Sequence, residues 1–429
     1  MAPLEPWEKA IVNAETFLPT AHGQIACVDC HSGDQSATDK AAAHAGFVPS
    51  PSSEPEKYCG ECHADQTATY PFALHSTQQG YWTALDTRGG NIPENHPALE
   101  EMFGNHCATC HTTCGECHVS QPKNVGGGLF TGHVFEATPP MTRSCTACHG
   151  SRVGNEFLGK NEGIPGDVHF REARMSCVKC HTGTDLHGTA TDMETAEANR
   201  FAGMESPKCL DCHATAAPGG DNNPMHQAHG DTLSCQVCHS VTYTSCDNCH
   251  VAVSETSGNP FFETDATYQT FLIGRNPIQS DDRPYAFVPV RHIPVADNAF
   301  EYYGENLLPD FDALPTWVYS TPHNIQKNTP QNASCESCHS EGTNIFLTAD
   351  KVKPEELNAN LSVIVEALPP LVTLEQVLNA PAMPAAHAEL VSNSCTACHT
   401  TGIRNAPLSP EDHVVYKDEN CSGCHKLQK

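Results

Sequence analysis

Apolar positions along this chain fall in short clusters, and only one stretch carries a clear helical period. In KPEELNANLSVIVEAL (353–368), apolar side chains at Leu357, Leu361, Ile364, Val365 and Leu368 predict an amphipathic helix. The richest apolar run, LSVIVEALPPLVTLEQVL (361–378), is broken by Glu366, Pro369, Pro370 and Glu375, so no membrane span is expected. Residues 251–334 are rich in aromatics and proline, as in RPYAFVPVRHIPV, and predict a few strands joined by irregular loops. Elsewhere the pattern predicts short helices between Gly/Pro-containing loops. With 38 % hydrophobic residues in 429, a conventional core looks undersupplied.

The cysteines change that picture. There are 24 of them, and all fall in Cys-x-x-Cys-His motifs. The first six are Cys27, Cys30 and His31; Cys59, Cys62 and His63; Cys107, Cys110 and His111; Cys114, Cys117 and His118; Cys145, Cys148 and His149; and Cys177, Cys180 and His181. The other six are Cys209, Cys212 and His213; Cys235, Cys238 and His239; Cys246, Cys249 and His250; Cys335, Cys338 and His339; Cys395, Cys398 and His399; and Cys421, Cys424 and His425. Twelve motifs use every cysteine, leaving none for a disulfide. On one helical turn, thiols at i and i+3 share a face and can form thioethers to a single porphyrin, while the histidine at i+4 meets the iron. The motif is the attachment sequence of haem c. Zinc sites and redox dithiols also use Cys-x-x-Cys, but not twelve times with a histidine following each pair.

Of 26 histidines, fourteen lie outside the motifs, enough to give every iron a second axial ligand. The expected distal ligands are His22, His44, His75, His133, His169, His187, His226, His229, His292, His323, His387 and His413. His96 and His106 are expected to do something else, since His106 directly precedes Cys107 and cannot easily swing over its own haem. Methionines such as Met102, Met141 and Met225 are expected to pack against porphyrin edges. Ligation by two histidines predicts low-spin irons of mostly negative potential, with no open position for a substrate.

First cysteines at 27 and 59, and again at 114, 145, 177 and 209, step by 31 or 32 residues, an internal repeat of one module per haem. CATCHTTCGECH (107–118) and CQVCHSVTYTSCDNCH (235–250) compress it and force two porphyrins together. The expected fold is therefore haem-rich, mostly irregular coil with short α-helices at the Cys-x-x-Cys-His turns and little β-structure, the haem stack serving as the core. Three regions are expected: nine haems in 1–250, a haem-free aromatic and proline-rich insertion in 251–334, and three haems in 335–429. The insertion would cover haem faces or offer a contact surface.

These residues resemble the multihaem c-type cytochromes, a class that includes periplasmic carriers, outer-surface conduits and polymeric cytochrome nanowires. The resemblance rests on the twelve motifs from Cys27 to His425. It implies long-range electron transfer outside the cytoplasm rather than enzymatic catalysis. Partners would be other cytochromes or extracellular electron donors and acceptors, and head-to-tail self-association could build a filament. The alternatives are a multihaem oxidoreductase acting on a small nitrogen or sulfur compound, and a periplasmic electron reservoir. The expected location is extracellular or at the cell surface, with the periplasm second. Haem c is attached outside the energised membrane, yet MAPLEPWEKAIVNAETF lacks the features of a secretory signal, so the numbering is expected to start at a mature or re-started chain. A formal charge of −28 without a basic patch disfavours nucleic acid and anionic lipid. The added propionates call for counter-ions, calcium being the candidate.

Overall fold

The computed structural model describes residues 12–369 apart from 111, 199–200, 222, 242–243, 270 and 294, together with 371, 375, 379–384, 387, 395–403, 406–409 and 425. Side chains within 244–250 and 262–269, and those of Thr109 and Pro224, are also outside the description.

Single helical turns are the commonest element, and the cysteine motifs make many of them. Cys27–His31, Cys114–His118, Cys145–His149, Cys235–His239 and Cys395–His399 are each one α-turn. At 59–63, 177–181, 209–213 and 335–339 the histidine N–H donates to the carbonyl of the first cysteine at 2.9 Å, closing the same turn. The turns stay short because little follows to extend them: after His31, Ser32 takes φ 59°, and after His239 the chain turns extended at Ser240. Two longer helices, α1 (Gln79–Arg88) and α2 (His96–His106), stand out. Helix α2 opens with Pro97 in its first turn and buries Leu99, Met102 and Phe103, an i, i+3, i+4 face.

Strand content is small. A two-stranded antiparallel ribbon pairs β1 (Thr244–Val253) with β2 (Pro260–Gln269), and a three-stranded sheet has the order β3 (Leu272–Arg275), β4 (Phe287–His292), β5 (Trp317–Tyr319). The ribbon contains the exception among the described motifs. Residues 246–250 are extended, in register with 263–267; alternate residues bond across the ribbon, and a backbone held extended in this way cannot also close a helical turn.

The densest apolar packing lies around the second sheet. Val288, Val290, Leu347, Val352, Val363 and Ile364 form one buried cluster. Val237, Ile273, Phe346 and Val365 form another, joining the insertion to residues on both sides of it. Leu99 and Met102 of α2 pack on Leu307 and Leu308, so Met102 finds its place in a protein cluster.

The amphipathic helix expected at 353–368 is not formed. One 3₁₀ turn, Pro354–Glu356, leads into turns. Asn360 and the β-branched run Val363–Val365 bond elsewhere: Asn360 accepts from Trp317 N at 2.8 Å, Arg275 N donates to Val363 O at 2.9 Å, and Val365 N donates to Leu347 O at 2.8 Å. Tertiary partners thus take the backbone groups a helix would have used, and Leu361 and Leu368 are left exposed. Among the described residues, no helix is long and apolar enough to cross a membrane.

Candidate metal centres

Histidine rings meet in pairs across the molecule. His31 lies against His133 with centroids 5.8 Å apart, His63 against His22 at 6.0 Å, and His118 against His187 at 6.2 Å. His149 meets His75 at 6.1 Å, His181 meets His323 at 6.3 Å, and His213 meets His169 at 5.9 Å. The series continues with His239 and His226 at 6.2 Å, His339 and His229 at 6.0 Å, and His399 and His387 at 6.2 Å. Each pair joins one motif histidine to one histidine from outside the motifs. A metal–imidazole bond is about 2 Å, so two rings that shared one metal would stand with their centres about 6 Å apart. The residues fit a haem between them.

The second ring nitrogen is held in many of these histidines. Nδ1 of His31 bonds Val48 O at 2.7 Å, Nδ1 of His118 bonds Glu136 O at 2.7 Å, and Nδ1 of His399 bonds Pro407 O at 2.8 Å. Nδ1 of His239 reaches Gln326 O at 3.2 Å, Nδ1 of His229 reaches Met225 O at 3.1 Å, and Nδ1 of His323 reaches Thr321 O at 2.7 Å. A carbonyl can only accept, so each Nδ1 carries the proton and Nε2 keeps its lone pair for a metal. Burial also favours the neutral ring that a metal needs. It lowers His149 and His323 to about 4, and moves His22, His75, His133 and His187 in the same direction.

Thiols of different motifs are neighbours, which orders the motifs in space. Cys30 and Cys59, Cys59 and Cys114, and Cys117 and Cys145 lie within electrostatic range of each other. Cys145 is in hydrogen-bonding contact with Cys177, Cys180 is near Cys212, Cys209 contacts Cys235, and Cys238 is near Cys338. Motif 107–111 touches this line from the side, through Cys110 against Cys148. The two-residue link after it is pinned: Thr112 N donates to His75 O at 3.2 Å, and Tyr70 Oη donates to Thr112 O at 2.9 Å. Burial pushes Cys114 and Cys117 up to about 11 and Cys238 up to about 12, a setting that suits an uncharged sulfur such as a thioether.

The remaining expected ligands are placed differently. His44 bonds Lys40 O through Nδ1 at 2.8 Å and lies against Phe47. His292, on β4, holds the buried Glu356 carboxylate through Nε2 at 2.8 Å and packs on Trp317; among the described residues no motif histidine is in ring contact with it. His96 sits between Asp86 and Glu100, and His106 Nε2 bonds Tyr303 Oη at 2.7 Å. His425 bonds Pro381 O at 2.7 Å, and Cys395 and Cys398 are free of disulfides. His111, His413, Cys421 and Cys424 lie outside the described residues, as do the side chains of Cys246, Cys249 and His250. Among the described residues, no three His, Cys, Asp or Glu side chains gather as a bare metal-ion site.

Sequence reasoning missed the carboxylates behind the rings. Asp185 takes Nδ1 of His181 at 2.6 Å, Asp167 takes Nδ1 of His169 at 2.9 Å, and Asp221 takes Nδ1 of His226 at 2.7 Å. The available signals are local: an aspartate four residues after a motif histidine, just inside the helix Gly183–His187 that follows it, and the Asp-x-His of 167–169. Glu156 is buried and accepts from the backbone N–H of His323 at 2.8 Å, a contact over 167 residues that no spacing reveals.

A family model described as cytochrome c554 and c-prime matches residues 186–240, which indicates a c-type cytochrome and, with it, electron transfer through haem c. No curated protein and no solved structure matches the chain.

Proposed function

We propose that the chain is a dodecahaem wire: it carries electrons over a long distance outside the cytoplasm through twelve haems, each fixed by two cysteines and clasped by two histidines. The observation that carries the reading is the set of nine ring pairs, each of one motif histidine and one other. Haem c, when bound, supplies reversible one-electron exchange at its iron. The protein's part is to fix distance, orientation and potential. The cysteines would anchor most sites to helical turns, 246–250 being extended, and the closeness of cysteines from different motifs would keep successive sites near one another. Two imidazoles per iron leave no position for a substrate, which favours transfer over catalysis.

The motifs at 107–111, 246–250 and 421–425 leave His44, His292 and His413 as distal candidates, and His292 would have to give up Glu356. The nine-haem region 1–250, the insertion 251–334 and the three-haem region 335–429 are proposed as successive parts of this wire. Motifs near both ends support head-to-tail association into filaments, with other cytochromes or extracellular donors and acceptors as partners. The proposed location is extracellular or at the cell surface, and the proposed counter-ion of the propionates is calcium.

Intact mass of the secreted protein is expected to show twelve attached haems, and a count below nine would sink the wire. His75→Ala should convert one iron, that of 145–149, from low-spin to high-spin in electron paramagnetic resonance. Negative-stain images settle the filament: discrete particles only would remove it.

A further inference from the structure

The tethers on the ring nitrogens are of two kinds, and their distribution is not random. At 27–31, 114–118 and 395–399 the motif histidine is tethered to a backbone carbonyl. His181 is tethered to Asp185, His169 to Asp167 and His226 to Asp221. Through the ring pairs, these three belong to motifs 177–181, 209–213 and 235–239. The three are consecutive in space, since Cys180 lies near Cys212 and Cys209 contacts Cys235.

A carboxylate accepting the Nδ1 proton places a full negative charge behind the imidazole and raises the electron density at Nε2. The ferric state, one unit more positive, gains more from this than the ferrous state. A carbonyl dipole does the same more weakly. Arg171 faces Glu172 at 3.4 Å; Arg152 faces Glu156 at 3.8 Å but also acts on His323 of the 177–181 pair, which offsets part of the Asp185 effect at that site.

We propose that Asp167, Asp185 and Asp221 are positioning residues that make these three consecutive sites the low-potential segment of the line. The inference rests on the wire reading above. In each step one electron leaves a ferrous centre and reduces its ferric neighbour; no bond forms or breaks, and the Nδ1 proton stays in its hydrogen bond. The carbonyl-tethered sites 27–31 and 114–118 before this segment, and 335–339 after it, would then fill before the middle does.

The test is a site-resolved redox titration of the haem-loaded protein, followed by nuclear magnetic resonance. The irons of 177–181, 209–213 and 235–239 are expected to be reduced after those of 27–31, 114–118 and 395–399. D185N and D221N should each move one midpoint upward, at 177–181 and 235–239 respectively, with the haem count by mass unchanged. Asp167 also accepts from Ile325 N, so its substitution is the less clean probe. Three sites that titrate among or above the carbonyl-tethered ones would overturn the proposal, as would variants whose midpoints stay put. A chain that carries no haems by mass would instead sink the wire reading, so the two failures are distinguishable.

Discussion

Residues 12–239 and residues 271–365 are held together by different forces. In the second region Val290, Leu347 and Val363 are wholly buried and pack with Val288 and Ile364, the ordinary exclusion of apolar surface from water. In the first, apart from α1 and α2, which pack on Leu307 and Leu308, most motif cysteines remain part-exposed, and order comes from ring pairs, Nδ1 tethers and one-turn helices. One-turn helices are not stable by themselves. What holds them must be what lies between the paired rings, so the first region depends on its cofactors in a way the second does not.

Loading tests that contrast most severely. A chain made without haem attachment should lose the structure of the motif turns in 12–239, while amides of the second core keep protection. Hydrogen exchange of the apo chain is expected to be slow at Ile273, Leu347 and Val365, whose N–H groups bond Ile345, Ile273 and Leu347 carbonyls at 2.7–2.8 Å. Equal, fast exchange everywhere would show that the insertion has no core of its own. Conversely, Leu347→Ala opens a cavity in the second region and should cost about 3 kcal/mol in denaturant unfolding. The haem spectrum of the folded variant should not change, because no ring pair touches that residue.

The same division decides what the sequence made legible. The motifs could be read because covalent attachment demands i, i+3 and i+4 on one turn, a local rule. The distal partners could not, because pairing is a matter of tertiary reach. His169 and His387 both stand eight residues before a motif cysteine, yet His387 meets its own motif at His399 and His169 meets the next one at His213. His323 reaches back to His181 over 142 residues. In the apolar region the failure was different: period alone suggested a helix at 353–368, where Asn360 and Val363–Val365 are bound to neighbouring strands. The insertion's few strands were legible, but the ribbon's reach into 246–250 was not.

A smaller effect probes the polar side of the second region. Asn360 is fully buried, and its Nδ2 donates to Thr316 Oγ1 at 2.8 Å and Glu356 O at 2.7 Å while its Oδ1 accepts from Trp317 N. Asn360→Ala would strand these groups, and about 2 kcal/mol of stability should be lost. Thermal unfolding of the loaded protein measures it. A neutral result would mean that water replaces the amide.

The smallest expected change lies where ordinary local structure supports a ring pair. Asn13 caps the four-residue helix Ala14–Phe17, its Oδ1 accepting from Glu15 N at 3.1 Å and Thr16 N at 3.3 Å. Its own N–H donates to Gly132 O at 3.2 Å, and Phe17 meets His133 edge-on at 5.4 Å. The cap thus steadies one wall beside the His31–His133 pair. Asn13→Ala should cost about 1 kcal/mol, but the pair is held from the other side by the His31 tether to Val48, so fraying should stay local. Faster exchange at Glu15 and Thr16 with an unshifted midpoint at 27–31 is the expected result. Gly132→Ala should do more, since its φ is +50° and an added Cβ would come within 2.6 Å of the Asn13 Cβ, moving the backbone next to His133 itself. If the cap variant disturbed the centre as much as the glycine variant, ring pairing in the first region would depend on local helix stability rather than on the group the rings enclose.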